Sequence, residues 1–179
     1  MKRRSFLKQA ALGSAAFTTM GTARMFGEKP VRIAVVQQDG NPGQVETNRK
    51  KALDFAEKAL AQKAEIILFH EELLVGYDKD LHKLAEPVNG FTSKAFQNLL
   101  KGSGALIIYG LTEKDNDKYY ISAPVVSKDG VIANYRKTHL WWKAEGLRHE
   151  PTFYSPGDKL VTFQYQSYRC GIMICYDGD

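Results

Sequence analysis

Three short segments set reactive side chains beside apolar runs. Residues 68–77 (LFHEELLVGY) run from an apolar stretch straight into Glu71 and Glu72. Residues 134–141 (NYRKTHLW) place Lys137 after a second such stretch, and residues 170–177 (CGIMICYD) deliver Cys175 at the end of a third. A carboxylate, an ammonium and a thiol suit acyl transfer. A thiolate is a strong nucleophile, but a free cysteine is mostly protonated at neutral pH and needs a base beside it. A carboxylate near the thiol can take that proton and later return it to a leaving nitrogen. A fixed ammonium can stabilise the oxyanion of a tetrahedral intermediate. Taken singly, each segment has a plainer explanation: a solvated acidic turn, a surface lysine, a buried cysteine. His139 raises a Cys–His alternative, but its neighbours belong with the lysine segment, and it reads as a supporting residue.

The elements that must hold these residues follow from pattern. Residues 31–38 (VRIAVVQQ) are β-branched and apolar, which predicts a buried strand. Asn41-Pro42-Gly43 is a turn signal. Residues 45–64 predict an amphipathic helix with Ala52, Phe55, Ala56, Ala59 and Leu60 inward. A short strand follows at 66–69, and a helix at 92–101 with Phe96, Leu99 and Leu100 inward, ended by Gly102-Ser103-Gly104. Residues 105–111 read as one continuous strand. Residues 119–127 and 131–135 flank Lys128-Asp129-Gly130 as a hairpin, and 160–166 with 168–176 read as a second hairpin that ends on Cys175. Strands alternating with helices and then pairing among themselves imply a layered α/β domain. The chain carries no internal repeat, low-complexity tract or interdomain linker.

Taken together, the three segments resemble the nitrilase superfamily of carbon–nitrogen hydrolases, which carries a Glu, Lys, Cys triad in that chain order. The glutamate segment of that family resembles Pro-Glu-Leu-x-x-x-Gly-Tyr; counting back from Gly76-Tyr77 selects Glu71 rather than Glu72, with His70 in place of the proline. Residues 135–140 match Tyr-Arg-Lys-x-His-Leu throughout, and residues 171–177 match Gly-x-x-Ile-Cys-Tyr-Asp. The resemblance implies Glu71 as general base and acid, Lys137 and the Tyr176 N–H as oxyanion donors, and Cys175 as nucleophile. A second, substrate-orienting glutamate is also implied. Glu145 and Glu150 compete for it, with Glu150 preferred because Phe153-Tyr154-Ser155-Pro156-Gly157-Asp158 follows it. The implied fold is a four-layer α-β-β-α sandwich of which residues 30–179 form an incomplete hydrolase domain, the C-terminal part missing. The implied substrate is a small-molecule linear amide or carbamoyl amide, cleaved through a thioester to acid plus ammonia or amine, with no metal or organic cofactor. A homo-oligomer is expected of the complete protein. A truncated non-catalytic relative and an acyltransferase stand as alternatives.

Composition narrows the partners. The 179 residues carry 25 basic and 20 acidic side chains. Lys2, Arg3, Arg4, Lys8, Arg24, Lys29 and the single acid Glu28 lie in residues 1–29, and removing them leaves 19 of each sign. The remainder is neutral and offers no electrostatic footprint for nucleic acid. Arg3, Arg4, Phe6, Leu7 and Lys8 resemble a twin-arginine export signal, with Lys2 where Ser or Thr is usual. A weakly apolar stretch over 9–20 and small residues at 21–23 follow. The stretch is shorter than the roughly 20 residues that span a bilayer. The expected address is periplasmic or extracellular. Cys170 and Cys175 are five residues apart. On an extended strand that is about 16 Å, beyond the roughly 7 Å a disulfide tolerates, so both thiols are expected free.

Overall fold

The computed structural model describes residues 30–178; the export-signal reading concerns residues 1–29 and lies outside the described residues. Strand β1 (Ile33–Val35) pairs in parallel with β2 (Ile66–Leu68), and β2 in parallel with β3 (Leu106–Ile108). Parallel neighbours need a crossover, supplied first by helix α1 (Val45–Ala61) and then by α2 (Leu81–Leu84) with α3 (Phe91–Leu99). Three antiparallel strands extend the sheet: β4 (Leu111–Asp115), β5 (Lys118–Ser127) and β6 (Gly130–Arg136). The order is β1-β2-β3-β5-β4, with β6 also paired to β5. A separate hairpin, β7 (Thr162–Tyr165) and β8 (Tyr168–Gly171), contributes Phe163 to the core.

Side-chain alternation assigns the two faces of the sheet. Ile67 and Ile107 are fully buried, and beyond them on the same face Phe69 and Tyr109 contact Phe96 of α3 at ring distances of 5.7 and 5.1 Å. Helix α1 turns Asn48, Arg49, Ala52, Ala56 and Ala59 inward. The predicted inward position of Phe55 is not met: it is exposed, because the buried stripe runs through 48, 52, 56 and 59 and leaves Phe55 at its margin. Arg49 ties α1 to the start of α3 by pairing with Glu86 at 2.7 Å and donating to Thr92 at 2.8 Å.

Three further expectations are corrected. Strand β1 is shorter than predicted and, among the described residues, pairs on one side only, with Ile33 55% and Val35 68% exposed. The predicted continuous strand over 105–111 breaks at Tyr109-Gly110. There the Gly110 N–H donates to His70 O and the Leu73 N–H to Gly110 O, each at 3.2 Å. A Cβ on Gly110 would collide with the backbone of His70 and Glu72, so the break lets the Glu71 turn settle against the sheet. The second hairpin stops at Gly171, and Cys175 sits not at a strand end but in a 3-10 turn, Cys175–Gly178.

Candidate active site

Glu71 and Lys137 follow strands within three residues and Cys175 follows one by four, whereas Glu150 lies in the long connection after β6. Glu71 opens the turn after β2. That turn is anchored by Asn48 of α1, whose buried side-chain amide donates to Leu74 O at 2.8 Å, and by the Gly43 N–H to Val75 O at 2.9 Å. Lys137 directly follows β6; its N–H donates to Ile121 O and its carbonyl accepts from Gly157, both at 2.8 Å. A network just before it fixes β6: Arg136 pairs with Glu113 at 2.5 Å and Asp115 at 2.7 Å, and lies 3.8 Å over the Tyr120 ring. Glu150 begins a 3-10 turn, Glu150–Thr152.

These turns converge. Lys137 Nζ is fully buried and donates to Glu71 at 2.8 Å and to Glu150 at 2.9 Å. Burial alone would lower the Lys137 pKa, but the two carboxylates outweigh it and hold the group as ammonium. Glu150 is buried and also accepts from Tyr77 Oη at 2.9 Å and the Trp141 N–H at 2.6 Å. Burial followed by the Glu71 and Glu150 charges pushes the Tyr77 hydroxyl far up, so it stays a donor.

The Cys175 thiol faces Glu71. Loss of hydration and then the Glu71 charge raise its pKa, while Lys137 and the Tyr176 N–H beside the sulfur oppose the rise. At rest, therefore, the proton stays on sulfur until something removes it. Cys175 has φ +46°, a left-handed conformation disfavoured for a residue with a Cβ. Asp177 holds this turn. It accepts from Ile174 N at 2.9 Å, Tyr135 Oη at 2.7 Å, Thr138 N at 3.1 Å and His139 N at 2.9 Å. Burial works against the Asp177 charge, but the donors prevail and bring its pKa down to about 2. The cysteine turn is thereby bolted to the segment that follows Lys137. A cleft of about 170 Å³ opens beside the thiol, lined by Glu71, Leu68, Ile108, Ile172, Met173 and Cys175 among others.

Glu71, Lys137, Glu150 and Cys175 are thus brought together. Glu145, the competing candidate, is exposed and lines a separate surface hollow with Gly146 and Leu147. Tyr176 packs edge-on against Trp141 at 4.9 Å. His139 touches Asp177 rather than the thiol. Tyr77 and Asp177 were not singled out in the sequence, although both sit inside the segments that carried the resemblance; their signal was a hydrogen-bonding residue at fixed distance from Glu71 and from Cys175. Cys170 and Cys175 are free thiols. Among the described residues no group of His, Cys, Asp and Glu is arranged to hold a metal, and no helix is long and apolar enough to cross a membrane.

The sequence profile of the carbon–nitrogen hydrolases matches residues 32–179. The chain belongs to this family. An (R)-stereoselective amidase from a Pseudomonas species is 30% identical over 149 residues, covering 82% of this chain and 52% of that protein. A nitrilase of Pyrococcus abyssi is 30% identical over 153 residues, covering 82% and 56%. The chain spans about half the length of the curated relatives it matches. Among solved structures, a CN-hydrolase superfamily protein of Xanthomonas campestris superposes with a TM-score of 0.72 at 20% identity, over 82% of this chain and 54% of that one. At that identity the likeness establishes the fold, a mixed α/β architecture of the nitrilase type. In this carbon–nitrogen hydrolase, Glu71 and Cys175 line the cleft just beyond the ends of parallel strands β2 and β3, the usual location for sites in α/β sheets.

Proposed function

We propose that this carbon–nitrogen hydrolase cleaves a linear amide or carbamoyl amide through a thioester on Cys175. The observation that carries the reading is Lys137, buried as an ammonium between Glu71 and Glu150, with Glu71 also facing the thiol. The raised thiol pKa is consistent with proton transfer to Glu71 as sulfur attacks the amide carbon, instead of a standing thiolate. The carbonyl oxygen becomes an oxyanion, stabilised by Lys137 Nζ and the Tyr176 N–H, each such donor worth about 3–4 kcal/mol. Glu71 passes its proton to the leaving nitrogen, the carbon–nitrogen bond breaks, and ammonia or an amine departs. Water then gives a proton to Glu71 and attacks the thioester, releasing the acid and restoring the thiol. Glu150 holds Lys137 from the other side and orients the substrate. The amide preference draws on the similarity to the stereoselective amidase. The test is Cys175→Ala in the intact protein: ammonia release from amides should stop while the circular dichroism spectrum is kept, and continued release would overturn the mechanism. We also propose export through the twin-arginine-like start, and a homo-oligomeric assembly.

A further inference from the structure

We propose that Glu72 is a positioning residue for this site: a buried carboxyl that holds the Glu71 turn against the Glu150 turn. The inference rests on the proposed function for what is being positioned. Glu72 is only 4% exposed and adopts φ +53°, a conformation that costs a glutamate energy and persists only where the surroundings enforce it. The enforcement is the close approach of Gly110, which exchanges hydrogen bonds with His70 and Leu73 on either side of the Glu71-Glu72 pair. The side chain then leaves its own turn. Its Oε2 accepts from the Thr112 hydroxyl on β4, and its carboxyl faces the Tyr154 hydroxyl. The Tyr154 N–H in turn donates to Glu150 O at 2.9 Å. Glu72 therefore spans from the turn of one site carboxylate to the turn of the other.

Charge decides its protonation state. The titratable groups that face it are Glu71 and Tyr77 from its own turn, and Glu150 and Tyr154 from the turn beyond β6. All are acids, and the buried Lys137 ammonium is already shared by Glu71 and Glu150. A third anion here would be desolvated and repelled together. Burial is the largest effect and pushes Glu72 up to about 8, although the Thr112 and Tyr154 hydroxyls that face it favour the charged form. With a proton on it, Glu72 becomes a donor. Protonated, it can donate to the Tyr154 oxygen that it faces. Above that pH the new charge repels Glu71 and Glu150.

The test compares wild type, Glu72→Gln and Glu72→Leu in the intact protein. Glutamine keeps shape and a neutral donor; leucine keeps volume alone. Wild-type kcat/KM should fall through one ionisation near pH 8, and Glu72→Gln should shift that fall upward by a pH unit or more. Glu72→Leu should lower kcat at neutral pH by about tenfold to a hundredfold, the scale of a misplaced catalytic group. An alkaline fall at the same pH in wild type and Glu72→Gln would overturn the proposal. Urea unfolding gives a reading that needs no substrate. The folded state keeps a proton that the unfolded chain releases near 4.5, so wild-type stability should decline from about pH 5 to 8, and Glu72→Gln should lack that decline. Equal declines in both would overturn the proposal. Absence of amide turnover in wild type, with the urea difference present, would instead reject the proposed function.

Discussion

At the residue scale, two adjacent glutamates have opposite environments. Glu71 is partly open and bonded to Lys137, whereas Glu72 is closed off under Thr112 and Tyr154. Spacing to Gly76-Tyr77 selects Glu71 from sequence, and the structure puts that residue at the thiol. Glu71→Gln should reduce kcat by about 10²–10⁴-fold, the range for a general acid–base group, and Glu72→Gln at pH 7 should cost far less; steady-state ammonia release distinguishes them, and the reverse order would mean the wrong acid was chosen. Glu150→Gln should weaken the hold on Lys137 and raise KM as well as lower kcat. The burial of Glu72 was not legible, because it depends on Gly110 and Tyr154, residues far away in sequence. The preference for Glu150 over Glu145 came from the residues after it, and only the folded turn shows Glu145 standing apart.

Elements were legible where a pattern was local. The periodicity of α1 and the turn signal at Lys128-Asp129-Gly130 marked a helix and a hairpin close to their observed bounds. The break at Gly110 and the 3-10 turn of Cys175 were not legible, since an apolar run looks the same whether or not another segment interrupts it. Asp177 is the element-scale link, joining the cysteine turn to Thr138 and His139. Its depressed pKa means the folded state holds the charge that an unfolded chain loses first. Its contribution is therefore present above about pH 4 and lost as pH falls toward 2. Asp177→Asn should remove that acid-sensitive part of the urea midpoint and slow alkylation of Cys175 or make it heterogeneous. Glu113→Ala should destabilise by about 1–3 kcal/mol, because it removes the buried acceptor of Ser122, Asn134 and Arg136 while Asp115 still pairs with Arg136; chemical denaturation measures it.

For the whole molecule, the neutral balance of residues 30–179 gave no reason to expect nucleic acid. What the sequence did not disclose is an exposed apolar patch on one face of the sheet among the described residues. Ile33, Val35 and Leu68 lie on that face and are exposed, and such patches favour association. Residues 30–179 expressed alone should self-associate in a concentration-dependent way by light scattering, and Val35→Lys should reduce it. The proposed export gives a prediction of its own: replacing Arg3 and Arg4 together with lysine should leave the protein inside the cell, read by fractionation.

The most direct test of the thioester route is mass spectrometry of the intact protein, acid-quenched during turnover of an amide. The account predicts a species heavier by the acyl group, mapped to the peptide carrying Cys175, and absent in Cys175→Ala. Turnover with no such adduct, together with undiminished ammonia release by Cys175→Ala, would contradict it.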